Sequence, residues 1–161
     1  MTKHRPDPAD ADPRWLTDDE QRTWRGLLTM HRQLMDGLDR QMRAEAGIPT
    51  AYYIILAMLS EAPKHSLRMS ELAQAVDSSQ SRTSHAVAAL EDRGWVIRKT
   101  FPTDKRGLVA VLTDDGYAQL KHLAPKHVEH VRQLLFDHLT CDQVSELEQI
   151  TVAVNEGVAT D

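Results

Sequence analysis

The chain has 161 residues, 41% hydrophobic and 27% charged, with a formal net charge of −5, a size and balance that suit one domain with a sizeable core. No apolar run approaches the roughly 18 residues of a membrane span, the start is polar and lacks a signal-like apolar segment, and one cysteine allows no internal disulfide, so a cytoplasmic protein is expected. The charge is uneven, with 8 basic and 10 acidic side chains in residues 1–61, 8 and 5 in 62–106, and 3 and 9 in 107–161; the positive middle argues against dismissing nucleic acid as a partner on net charge alone.

Residues 1–14 are polar and rich in proline and aspartate, and read as a flexible arm. Thr17 followed by Glu20 makes a capping box, the threonine accepting from a free helix amide and the glutamate reaching back. Behind it Trp24, Leu27, Leu28, His31, Leu34, Met35, Leu38 and Met42 recur at three- and four-residue spacing. The spacing predicts one long helix ending near Gly47, with Pro49 beyond it. His31, inside that stripe, is expected to be a buried, satisfied histidine. Thr50 is expected to cap a second helix, whose Tyr52, Tyr53, Ile54, Ile55, Leu56, Met58 and Leu59 are too uniformly apolar to face water.

Residues 66–69 predict a short strand, 70–76 a short helix capped by Ser70, and 79–93 a second helix ended by Gly94. Strands follow at 96–101 and 108–112, joined across Pro102-Thr103-Asp104-Lys105-Arg106-Gly107. Thr113 opens a helix that is acidic at its start, suiting the positive end of the helix dipole. Its apolar set runs from Tyr117 to about His138, a rod on the order of 35 Å long. Thr140 with Gln143 starts the last helix, with a stripe of Val144, Leu147, Ile150, Thr151, Val154 and Val158. The fold class expected is mainly α with a small β-hairpin wing, a winged helix-turn-helix at 48–113 between helical segments at 15–47 and 114–161. One protomer offers little on which to bury the terminal stripes, so these segments are expected to form the dimerisation domain of a homodimer.

A helix entering the DNA major groove needs short donors and acceptors and an arginine on its leading turns. Ser79, Gln80, Ser81, Arg82, Thr83, Ser84 and His85 supply them. Not all of these can share one helical face, and Gln80, Ser81, Arg82, Ser84 and His85 are the exposed set expected, with Val87 and Leu90 inward. Arg82 could bind a guanine bidentately or hold a phosphate. Arg106 could enter the minor groove or clamp a phosphate, with Asp104 fixing its guanidinium. Lys105, Arg98 and Lys99 are candidate phosphate contacts, and Ser70 is expected near phosphate through its helix amides.

Several motifs carry the same reading together: Arg68-Met69-Ser70-Glu71-Leu72-Ala73, residues 79–93 followed by Gly94-Trp95-Val96, the wing's Asp104-Lys105-Arg106-Gly107, and Leu112-Thr113-Asp114-Asp115-Gly116. In their order and spacing, from about Trp15 onward, the chain closely resembles the MarR family of bacterial transcription regulators. The resemblance implies a triangular homodimer with intertwined terminal helices and a winged helix at each lower corner. It implies a double-stranded, pseudo-palindromic DNA operator, usually repressed. Many relatives release DNA when a small aromatic or phenolic compound binds between the dimerisation and DNA-binding regions. A pocket of that kind is expected beside His31, Met35, Tyr52 and Tyr53.

The remaining reactive side chains point to less. Cys141 is expected to be inert, since peroxide-sensing relatives place their cysteine in the N-terminal helix. His127 and His130 are one turn apart, with His122 and His138 on the same predicted helix, but no complementary carboxylate or cysteine spacing accompanies them. They are expected to face solvent or a dimer seam, and neither a metal nor a cofactor is expected. There is no phosphate-cradling glycine loop, nucleophile elbow or metalloprotease helix, so an enzyme is not expected. The competing reading from another class is a ligand- or protein-binding adaptor that kept the winged-helix shape and lost operator recognition. Arg82, Lys105 and Arg106 speak against it.

Overall fold

The computed structural model describes residues 13–101 and 104–158, with the backbone alone at 101 and 104–106. Among these described residues six α-helices, α1 (Asp18–Ala46), α2 (Thr50–Glu61), α3 (Met69–Ala75), α4 (Gln80–Glu91), α5 (Asp114–Leu134) and α6 (Cys141–Val158), accompany three strands, β1 (Ser66–Arg68), β2 (Val96–Phe101) and β3 (Asp104–Leu112). Short 3-10 turns at Pro63–His65 and Phe136–His138 link α2 to β1 and α5 to α6. The chain forms two compact units, residues 1–33 and 34–161. Among the described residues no helix is long and apolar enough to cross a membrane.

In the first unit the capping box forms as the sequence dictates: the Thr17 amide donates to Glu20 Oε2 at 2.8 Å and the Glu20 amide to Thr17 Oγ1 at 3.3 Å. The Thr17 amide and the Thr17 hydroxyl, both donating to Glu20 Oε2, lower the Glu20 pKa from its ordinary value. Trp15, Trp24, Leu27 and Leu28 are exposed, Trp15 by 83%. His31 is exposed too, correcting the expected buried histidine; a place in an apolar stripe buries a side chain only where something covers the stripe.

In the second unit α2 packs against α3, α4, α5 and the sheet, which is why its sequence is apolar on every face. Its Ile55, Leu56 and Leu59 join Met42, Ile48, Leu72, Val87, Leu90, Val96, Ala110 and Leu123 in the core. Thr50 does not cap α2. The N-cap is Pro49, the Thr50 side chain is buried with its hydroxyl unpartnered, and its amide donates instead to Asp39 Oδ1 of α1 at 3.0 Å. That hydrogen bond, with a second from Arg43, lowers the Asp39 pKa.

The sheet is antiparallel in the order β1-β3-β2, with Leu67 and Arg98 both opposite Ala110. β3 begins at Asp104, not near 108, so the hairpin closes between Phe101 and Asp104 and the register shifts at Thr100/Phe101. The wing is therefore more strand and less loop than its turn-forming residues predict. Gly47 and Gly94 end α1 and the α4 segment at φ 64° and 74°, the left-handed conformation that costs glycine least. Thr113 caps α5, accepting from the Gly116 amide at 3.0 Å while donating to the Gly94 carbonyl at 2.7 Å. The Thr140 and Gln143 side chains cap α6 reciprocally. No residue of α6 is buried: Ile150, Val152, Val154 and Val158 are 50–71% exposed.

Candidate nucleic-acid interface

The placement of α4 follows from which side it buries. Thr83, Ala86, Val87 and Leu90, three or four residues apart, face the core. That geometry turns Gln80, Ser81, Arg82, Ser84 and His85 outward, and all five are exposed. Thr83 must be withdrawn from the candidate contacts. It is 1% exposed, its side chain lying on the stripe that anchors α4, so it cannot reach a groove. Ser79 is the N-cap, its Oγ accepting from the Arg82 amide at 3.3 Å, and this bond occupies the hydroxyl with starting the helix.

The turn before α4 passes through Asp77 at φ 46°, a conformation that aspartate tolerates better than most side chains. It leaves a recess of about 410 Å³ between α3 and α4, lined among others by Ser70, Gln74, Ser79, Gln80 and Arg82. Ser70 is exposed at the second position of α3 and is not its cap: Arg68 is the N-cap residue, and its amide donates to Glu71 Oε2 at 3.0 Å. The recess thus brings together hydroxyls, two side-chain amides and a guanidinium, the donors that phosphate and base edges accept from.

Of the wing candidates, Lys99 is exposed on β2. Arg98 is engaged within the protomer: its amide donates to Glu91 Oε1 at 2.6 Å and its Nε to Glu91 Oε2 at 2.5 Å. It ties β2 to the last turn of α4, a role the sequence reading missed. Glu91 and Arg98 are seven residues apart across a helix end and a turn, a spacing with no local rule. The side chains of Asp104, Lys105 and Arg106 lie outside the described residues.

A second cavity, about 390 Å³, lies behind α4. Met35, Tyr52, Ile54, Ile55, Val76 and Ala86 give it apolar walls, and Asp77, Arg82 and Thr83 give it polar ones. Of the expected pocket residues, Met35 and Tyr52 line it and His31 and Tyr53 do not. Tyr53 points to the other side of α2, where its ring lies 4.4 Å from that of His127 on α5. Burial raises the Tyr53 pKa, and burial with the neighbouring His130 lowers that of His127. His127 is half-buried against Tyr53 within the protomer, with a buried, unpartnered Nδ1, and is thus not in open solvent, one of its two expected surroundings, whereas His122 and His138 are exposed. Among the described residues no group of three or more His, Cys, Asp or Glu is gathered to hold a metal, and Cys141 is free and exposed.

Comparison with known proteins agrees with this architecture. A sequence model of the MarR family matches residues 46–107, from the end of α1 to the wing. The chain is 32% identical over 126 residues to the transcriptional repressor MprA of Escherichia coli K12, covering 77% of this chain and 70% of MprA. Among solved structures it is similar to Sco3205 of Streptomyces coelicolor, a MarR family transcriptional regulator determined in complex with DNA, at 49% identity and a TM-score of 0.87 over 92% of each chain. It is similar also to AbsC of the same organism, at 36% identity and a TM-score of 0.86 over 92% of this chain and all of AbsC. With that identity sustained over nearly its full length and the same mainly helical, small-sheet fold, this chain belongs to the MarR family of transcriptional regulators, which are not enzymes.

Proposed function

We propose that this protein is a homodimeric, sequence-specific regulator that binds a pseudo-palindromic double-stranded operator and represses transcription from it. The observation that carries the reading is the exposed face of α4, where Gln80, Ser81, Arg82, Ser84 and His85 stand free on a helix anchored by Thr83, Val87 and Leu90. Such a face can present one arginine and several short hydrogen-bonding groups to base edges. Two copies related by a two-fold axis read half-sites about one helical turn apart. Residues 48–113 carry the DNA-binding function, with Lys99, Lys105 and Arg106 of the wing on backbone or minor groove. Residues 15–47 and 114–161 form the dimerisation region. The uncovered apolar side chains of α6 support this division, as do those of Trp15, Trp24, Leu27 and Leu28, since exposed apolar faces of this extent mark interfaces. DNA binding by Sco3205 and the naming of MprA as a repressor support the same reading.

The effector of this regulator is a small aromatic acid held in the cavity behind α4. Its apolar walls suit a ring. Arg82 and the buried, unpartnered Thr83 hydroxyl suit a carboxylate. Arg82 belongs to both the outward face and the cavity, so a bound acid would draw on the guanidinium that DNA also uses. Selecting bound sequences from random duplex DNA, then titrating salt and a panel of phenolic acids against the winning site, tests both halves. Weak binding indifferent to sequence at physiological salt would favour the adaptor reading, and DNA affinity unchanged by every acid would remove the effector.

A further inference from the structure

Arg93 lies just beyond α4, in the positive segment of the chain, yet its guanidinium turns toward the protein. Nη2 donates to the Gly47 carbonyl at 2.9 Å and Nη1 to the Ala46 carbonyl at 3.4 Å, and the guanidinium carbon sits 5.3 Å from the centre of the Trp95 ring. Those carbonyls belong to the C-terminal end of α1, where the last turn of any helix leaves acceptors without intrahelical donors and the dipole favours a cation. The sequence places the two partners 46 and 47 residues apart. Arg93 therefore acts as a helix cap delivered from a distant element.

We infer that Arg93 is a positioning residue for DNA recognition, fixing the tilt of α4 against the end of α1 and thereby the half-site spacing the protein accepts. The inference rests on the operator-binding function proposed above. The outward groups of α4 cluster near its start, and Arg93 lies roughly 16 Å further along from Arg82 at the helical rise of about 1.5 Å per residue. A change of tilt at the far end is therefore read out as a displacement of Arg82, Ser84 and His85. Glu91, through Arg98, fixes the wing to the same end of α4, so recognition helix and wing are aimed as one body. A planar guanidinium can span two carbonyls and lie against an indole at once, and a lysine ammonium cannot.

The test compares the full-length wild type with Arg93→Ala and Arg93→Lys. Binding is measured by fluorescence anisotropy on the selected operator and on versions lengthened or shortened by one base pair between half-sites, each at several salt concentrations. Both variants are expected to lose about tenfold of the wild-type preference for the native spacing, the scale of one charge-assisted hydrogen bond at 1.4 kcal/mol per decade. Their salt slopes should match the wild type, because no phosphate contact is removed. Preference retained by both variants overturns the inference. So does a slope shallower by about one unit in Arg93→Ala with recovery in Arg93→Lys, which would make Arg93 a phosphate contact. Circular dichroism shows whether Arg93→Ala is folded; if it is not, Arg93→Lys decides the question with the same two readouts. A wild type that selects no site sinks the operator reading itself, and the inference with it.

Discussion

Gly116 is the position at which the smallest substitution should cost the most. A Cβ added there would stand 2.1 Å from the Trp95 carbonyl oxygen and 2.8 Å from Leu112 Cδ1. The leucine could turn aside, but the carbonyl is backbone, held by the Thr113 amide at 3.1 Å beside the hydrogen bond from Thr113 Oγ1 to the Gly94 carbonyl. Relieving the clash requires the start of α5 to move off Trp95 by more than an ångström, roughly the shortfall from an ordinary carbon–oxygen contact. That movement breaks both of these hydrogen bonds, at about 1 kcal/mol each, and disturbs packing at a further cost of about 1–3 kcal/mol. Gly116→Ala should therefore destabilise the protein by about 3–5 kcal/mol, lowering the melting temperature by roughly 6–20 °C for a chain of this size. Calorimetry or circular dichroism at matched protomer concentration measures this, the matching being needed because association shifts the midpoint. A variant melting within a degree or two of the wild type would refute the argument that α5 is seated on Trp95 through this glycine.

Arg82→Ala should cost on the order of 1–3 kcal/mol on the cognate operator and relax preference at one symmetric base position if Arg82 reads a guanine, as equilibrium titrations on cognate and scrambled duplexes would show; equal losses on both would make it a phosphate clamp. Arg106→Ala should weaken binding to all sequences alike and make the salt slope shallower by about one unit, and unchanged affinities would remove the wing assignment. Because burial lowers the His127 pKa in the folded state, the unfolded chain takes up its proton first as pH falls through the ordinary histidine value near 6.5, so stability drops from there toward the lower folded pKa. His127→Phe keeps a ring against Tyr53 and should flatten that part of the stability–pH curve, and a curve unchanged in denaturant titrations would contradict it. Deleting residues 140–161 should yield aggregate or unfolded chain, and a soluble, folded monomer by ultracentrifugation in either form would count against the obligate homodimer.

Much of this fold was legible because its signals are local. Thr17 with Glu20 and Thr140 with Gln143 mark helix starts within four residues, and the 3.6-residue period of α1 and α5 needs only their own side chains. The inward set of α4 could be read from Val87 and Leu90, and with it the exposed Gln80, Ser81, Arg82, Ser84 and His85. Thr83 shows where that reasoning stopped: a threonine among serines carries no mark of which way it faces until the next turn of the stripe is followed back. Thr50 and Ser70 are cap-forming residue types at helix starts, but Pro49, one residue before Thr50, and Arg68, two residues before Ser70, take the N-cap places, and Asp39 and Glu71 carboxylates accept from the Thr50 and Arg68 amides. The contacts that aim the interface were illegible for a different reason. Arg98 to Glu91 and Arg93 to Ala46 and Gly47 join elements that only the folded core brings together, and a basic residue in a basic segment reads as a nucleic-acid contact until its partner is known.

On the proposed function, the exposed face of α4, presented twice by a two-fold dimer, reads DNA sequence. Selection of bound duplexes from a random pool by the full-length protein at physiological salt tests it most directly. The result predicted is an enriched pseudo-palindrome with half-site centres about one helical turn apart, bound at least a thousandfold more tightly than scrambled DNA. A pool that enriches no sequence, or a single unrepeated half-site, would contradict it.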